Sequence, residues 1–148
     1  MSDLGEGEAL NQLLERAHDS AEGFQQGASL ARNPALKTLF RERAQERDQL
    51  IGAIEAEARS FGAAPAQDGT MVGVAHQLFT YVRDALARDS DKGLVEELVR
   101  REGLVTQAFK AVVDDRQAPE KARKIAADAL AKLDAERAEL EDLRQQFR

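Results

Sequence analysis

Two charged residues stand where a helical bundle wants apolar ones. Leu36, Phe40, Ala44, Ile51, Ile54 and Ala58 recur at steps of three and four, one apolar stripe of an α-helix at about 100° per residue. Arg47 falls inside that stripe. A later stretch has the opposite sign: Leu94, Leu98, Val105, Phe109 and Val112 form a stripe, and Glu102 lies within it. An inward cation on one helix and an inward anion on another predict a polar layer crossing an apolar bundle. Arg137 or Glu136, on the last helix, are the candidates to complete it. Arginine suits such a layer because its planar fork meets a carboxylate through two N–H groups and keeps its charge. The expected role of the pair is to set helix register, since desolvation offsets much of its attraction.

Five helical stretches position these residues. The first, about 4–31, carries the narrow seam Leu10, Leu14, Ala17, Ala21, Phe24, Ala28 and Ala31. Asn33-Pro34 breaks it and starts the second, about 34–61, with Asn as cap and Pro in the first turn. Gly62 and the Pro- and Gly-containing residues after it read as a loop. The third helix, about 70–88, ends in the polar run Arg88-Asp-Ser-Asp-Lys-Gly93. Its apolar residues, Met71, Val72, Val74, Ala75, Leu78, Phe79, Val82, Ala85 and Leu86, cover about half its circumference. Either this helix is sandwiched within one molecule, or part of it meets a second subunit. The fourth, about 91–115, and the fifth, about 119–147, flank a joint at Gln117-Ala-Pro119-Glu120. Ala122, Ala126, Ala129, Leu133, Leu140, Leu143 and Phe147 form the seam of the fifth. The pattern is two helical hairpins joined by a helix long enough to travel the height of a bundle, which makes helices two and four parallel. The phenylalanines sit at seam spacing and read as core.

Composition narrows the function classes. The chain has 148 residues, which suits one domain able to bury a core without staples. It has no cysteine, so it holds no disulfide, zinc–thiolate site or thiol nucleophile. A net charge of −6 argues against a nucleic-acid role, which wants a basic face. No apolar run approaches the roughly 20 residues of a membrane span, and the acidic start lacks the apolar core of a secretion signal. The expectation is a cytoplasmic protein. No dinucleotide fingerprint, phosphate loop or nucleophile elbow occurs.

The run Asp19-Ser-Ala-Glu22-Gly23-Phe24 resembles a known group, as do Leu36-Lys-Thr-Leu-Phe40 leading into Ala44-Gln-Glu-Arg47, and Glu96-Glu97 followed by Arg100-Arg-Glu102. That group is the uncharacterised, mostly proteobacterial family of small ferritin-like four-helix-bundle proteins of unknown function. The likeness runs from Leu10 to Phe147. It implies an all-α, ferritin-like four-helix bundle of two antiparallel hairpins with an additional crossover helix. The superfamily at large builds di-metal sites from one Glu on each of two helices and a Glu-x-x-His on each of the other two, suited to iron or manganese. Carried onto this chain, the candidate ligands are Glu22, Glu46, Glu102 and Asp134. Three residues beyond Glu46 and Asp134 stand Gln49 and Arg137 rather than histidines. His18 and His76 lie outside such motifs. An intact di-metal centre is therefore not expected.

The resulting expectation is a non-enzymatic structural or interaction protein, with a stress-associated role implied only by analogy of fold. It would work as a homo-oligomer, a dimer in the favoured case, through helix 70–88. The alternative is a metal-binding ferritin-like oxidoreductase or metal-storage protein with an altered ligand set.

Overall fold

The structure is a computed structural model. It describes residues 2–60 and 69–146, with side chains described over 8–60 and 91–146. The described residues form four helices: α1 (Ser2–Leu30), α2 (Pro34–Ser60), α3 (Gly69–Asp114) and α4 (Glu120–Gln146). There is no strand among the described residues.

The helix ends follow from local chemistry. Asn33 Oδ1 accepts the Ala35 N–H at 2.8 Å, so Asn33 caps α2, and Pro34 takes the first helical position, where its missing N–H costs nothing. Between α3 and α4, Asp115 Oδ1 accepts the Gln117 N–H at 2.9 Å. Pro119 then offers its carbonyl to the Arg123 N–H at 2.9 Å, the first bond of α4.

Cross-helix pairs give the register. Ser20 meets Glu102, and the amides of Arg32 and Asn33 meet Asp91, so α1 and α3 are antiparallel. Arg43 meets Glu139 and Glu57 meets Lys121, so α2 and α4 are antiparallel as well. It follows that α2 runs parallel to residues 91–114, the direction expected for helices two and four. The α1–α2 turn lies at one end of the bundle, its head. The α3–α4 turn lies at the other, its foot.

The described core is two apolar clusters stacked along the axis. The foot cluster includes Leu10, Leu13, Leu14, Ile54, Phe109 and Leu133; the head cluster includes Phe24, Phe40, Leu94, Leu98 and Leu140. The α2 stripe is buried at every expected position, Leu36, Phe40, Ala44, Arg47, Ile51, Ile54 and Ala58. The α1 seam is likewise buried throughout, while Ala129 and Leu143 on α4 are only half-buried.

One expected feature differs. The spans 70–88 and 91–115 belong to a single helical element, with no non-helical residue between them. The run Arg88–Gly93 contains no proline, so nothing in it forbids helical backbone. Its buried Asp91 directs both oxygens to the α1–α2 turn, accepting the N–H groups of Arg32 at 2.8 Å and Asn33 at 2.9 Å. The wide apolar face expected over 70–88, together with Phe61, His76 and Phe147, lies outside the described side chains.

Candidate functional site

Between the two apolar clusters lies a polar layer to which every helix contributes. Each member sits on its helix's inner stripe: Ser20 between Ala17 and Phe24, Arg47 between Ala44 and Ile51, Glu102 between Leu98 and Val105, and Glu136 between Leu133 and Leu140. The side chains of Arg47, Glu102 and Glu136 are 3%, 5% and 7% exposed, so the layer's electrostatics are those of the interior.

Arg47 is its hub. Its Nε donates to Ser20 Oγ at 2.7 Å, and the Ser20 hydroxyl donates onward to Glu102 Oε1 at 2.5 Å. Its Nη2 lies 3.3 Å from Glu102 Oε1 and 2.7 Å from Glu136 Oε1. The guanidinium carbon stands 5.3 Å from the centre of the Phe24 ring, and Phe24 in turn packs on Phe40 with ring centres 6.0 Å apart. A cation over an aromatic face gains from the ring quadrupole, so Phe24 adds to the layer from the apolar side. Thr106, also buried, turns its hydroxyl back to the Glu102 carbonyl at 2.7 Å.

A second arginine extends the network toward solvent. Arg43, one turn before Arg47, reaches Glu46 at 3.2 Å, Glu136 at 3.3 Å and Glu139 at 2.5 Å. Burial works against its charge, but Glu136, Glu139 and Glu46 together raise its pKa. Burial, then the neighbouring Glu46 carboxyl, pushes Glu136 above the usual carboxylate range, whereas the neighbouring Glu136 carboxyl, with Arg43 and Lys132, holds Glu46 below it.

The expected residues divide cleanly. Arg47 and Glu102 meet, as the inward stripes imply, and Glu46 flanks them. Arg137 is not part of the layer. It is exposed and lies against the backbone of Gly103, and Glu136 takes the inward position instead. Asp134 is exposed, and Glu22 is half-buried on α1 with Gln26 donating to it at 3.2 Å. Of the four candidate metal ligands, only Glu46 and Glu102 therefore approach one another, and what lies between them is the Arg47 guanidinium. His18 is half-buried, and Gln49 is exposed. Among the described residues, no group of three or more His, Cys, Asp or Glu is arranged to hold a metal ion.

A second polar contact sits beside the layer on α1 and α3. Asp19, buried, pairs with Arg16 at 3.3 Å, and Arg101 reaches the Asp19 carbonyl at 3.4 Å. Burial raises the Asp19 pKa against the pull of Arg16 and Arg101.

The family model described as Domain of unknown function (DUF2383) matches residues 6–115. The chain belongs to that family. The matched span holds Ser20, Arg47 and Glu102, whereas Glu136 lies beyond it on α4. No curated protein and no solved structure matches the chain. Among the described residues, no helix is long and apolar enough to cross a membrane.

Proposed function

We propose that this DUF2383 protein is a ferritin-like, non-enzymatic scaffold of the cytoplasm, acting as a homo-oligomer, in which a guanidinium layer stands where ferritin-like relatives keep metal. The observation that carries this reading is Arg47. Carboxylates from α3 and α4 converge on its fixed positive charge, and Glu46 flanks it. A cation added there would face guanidinium repulsion at close range in a low-dielectric interior. Gln49 and Arg137 in the histidine positions, and Asp134 turned to solvent, leave no ligand set among the described residues that fits a pair of metal ions.

The connection between hairpins supports the ferritin-like topology. Ser60 ends α2 near the foot, while Asp91 contacts the turn at the head. The 27 residues of α2 rise about 40 Å at 1.5 Å each. The nine peptide units from Ser60 to Gly69 reach about 30 Å at most. Residues 69–90 of α3 then carry the chain the rest of the way to Asp91 at the head, which gives them the place of a crossover helix. Their apolar face is the surface through which a second copy associates.

Elemental analysis of protein expressed in iron- and manganese-supplemented medium, without chelator, tests the reading beside Glu102→Ala. Both proteins are expected to be metal-free, and light scattering is expected to find a dimer of the wild type. Near-stoichiometric metal that disappears in Glu102→Ala would replace this reading with a redox or storage protein of altered ligand set.

A further inference from the structure

Glu46 on α2 and Glu136 on α4 bridge the same two arginines. Arg43 Nη1 lies 3.2 Å from Glu46 Oε1 and 3.3 Å from Glu136 Oε2, so a single nitrogen holds one oxygen of each carboxyl. The other two oxygens turn toward Arg47, Glu46 Oε2 at 4.0 Å from Nη1 and Glu136 Oε1 at 2.7 Å from Nη2. Both are closed off from solvent, and neither receives a hydrogen bond. Nη2 directs its own to Glu102 Oε1 at 3.3 Å. An ionised carboxyl oxygen can only accept, so two of them in one buried site repel unless a proton joins them. The charges around them also leave room for one proton. Arg43 and Arg47, with side chains 13% and 3% exposed, face Glu46, Glu102 and Glu136 at 26%, 5% and 7%, two cations against three carboxyls. The outlying Lys132 and Glu139, 59% and 61% exposed, add one charge of each sign, and α1 contributes only the neutral Ser20.

We infer that Glu46 and Glu136 hold one proton between them at neutral pH, bonded to Glu136 Oε1 and donated to Glu46 Oε2, so that the α2–α4 seam carries a pH-sensitive latch. One proton then gives both unpartnered oxygens a partner and cancels the surplus negative charge. Glu136 is the place for it, being the more buried of the two. The opposed shifts of the two groups, Glu136 raised by burial and Glu46 lowered beside it, are the splitting that a carboxyl pair with one proton produces. As pH rises through the pair's upper midpoint, the proton leaves to solvent and a second anion stays buried against Glu46. The folded chain holds this proton more tightly than the unfolded one, so the stability it contributes is present below the midpoint and lost above it. Alkali therefore loosens α2 from α4, two helices whose backbones do not approach closely.

The test follows the glutamate side-chain carboxyl carbons of the ¹³C-labelled full chain by NMR from about pH 4 to about pH 9. In the wild type, the Glu136 carbon is expected to titrate above neutral, with a step at the same pH in the Glu46 carbon. Glu46→Gln removes the surplus charge and offers Glu136 an N–H, so the Glu136 midpoint should fall by about one pH unit or more. Burial acting alone would leave it where it was. Glu136→Gln imitates the protonated carboxyl, and its urea-unfolding stability should stay level above neutral, where that of the wild type declines. Both carbons ionised at neutral pH in the wild type would overturn the inference whether or not a variant folds. So would an unchanged Glu136 midpoint in folded Glu46→Gln, or parallel stability curves for wild type and Glu136→Gln above neutral.

Discussion

Replacing Arg47 with methionine tests whether the layer is one electrostatic unit. Methionine keeps an unbranched stem of similar reach, so the apolar packing of α2 is largely retained while the guanidinium disappears. Glu102 then keeps only the Ser20 hydroxyl, and Glu136 keeps Arg43 at 3.3 Å. Breaking a buried pair by removing one partner costs about 3–5 kcal/mol, because the remaining charge is stranded in the interior. With a urea m-value of about 2 kcal/mol/M for a chain of this size, the unfolding midpoint should fall by about 2 M. Arg47→Met/Glu102→Leu removes both charges and should recover about 2 kcal/mol of that loss, since apolar pairs replace buried ion pairs at little cost. Urea unfolding followed by circular dichroism at neutral pH reads both effects. A loss below about 1 kcal/mol in the single variant, or a double variant less stable than the single one, would refute the reasoning.

The remaining predictions address other parts of the fold. Asp91→Ala removes the acceptor of two amides 59 and 58 residues away, and should cost about 1–3 kcal/mol while speeding hydrogen exchange at Arg32 and Asn33. Gly52→Ala, on an exposed helix face with nothing within 4 Å of an added Cβ, should raise stability by about 0.5–1 kcal/mol. Gly27→Ala should not show that gain, because its Cβ would meet Leu98 at 3.1 Å and Phe40 at 3.2 Å, and thermal melts of the two variants should separate accordingly. Asp19 has a folded pKa above its unfolded value, so its ionisation opposes folding as pH rises through the folded pKa. Asp19→Asn should therefore stabilise the protein at pH 7, with the gain vanishing on acidification below the usual carboxylate range, as denaturation across pH would report.

What the sequence made legible was what periodicity controls. The α2 stripe was complete down to its arginine because a helix with one buried face must repeat at 3.6 residues, and any residue in register turns inward whatever its charge. Glu102 followed by the same rule. Choosing between Glu136 and Arg137 was harder, because Leu133 and Leu140 are seven residues apart and α4 is crowded with charge. Positions 136 and 137 lie equally between them, and it is Glu136 that turns inward while Arg137 stays exposed. Ser20 carried a fainter signal, one small polar residue in an alanine-rich seam. Asp91 carried none for its actual role, since its partners lie in a distant turn and a polar run containing Gly93 reads locally as a helix end. Side-chain burial was thus readable helix by helix, whereas partner choice across the bundle required the three-dimensional register.

The central claim is that a guanidinium holds the position that a metal pair would need. Titrating the ¹⁵N-labelled protein with Mn²⁺ and observing the Arg47 Nε–H signal tests it most directly, because paramagnetic manganese broadens signals within its immediate surroundings. This signal and the backbone amides of Ser20 and Glu102 are expected to stay sharp beyond one equivalent, with any broadening confined to exposed carboxylates such as Asp134. Selective loss of the Arg47, Ser20 and Glu102 signals at substoichiometric Mn²⁺ would contradict it and place a metal inside the layer.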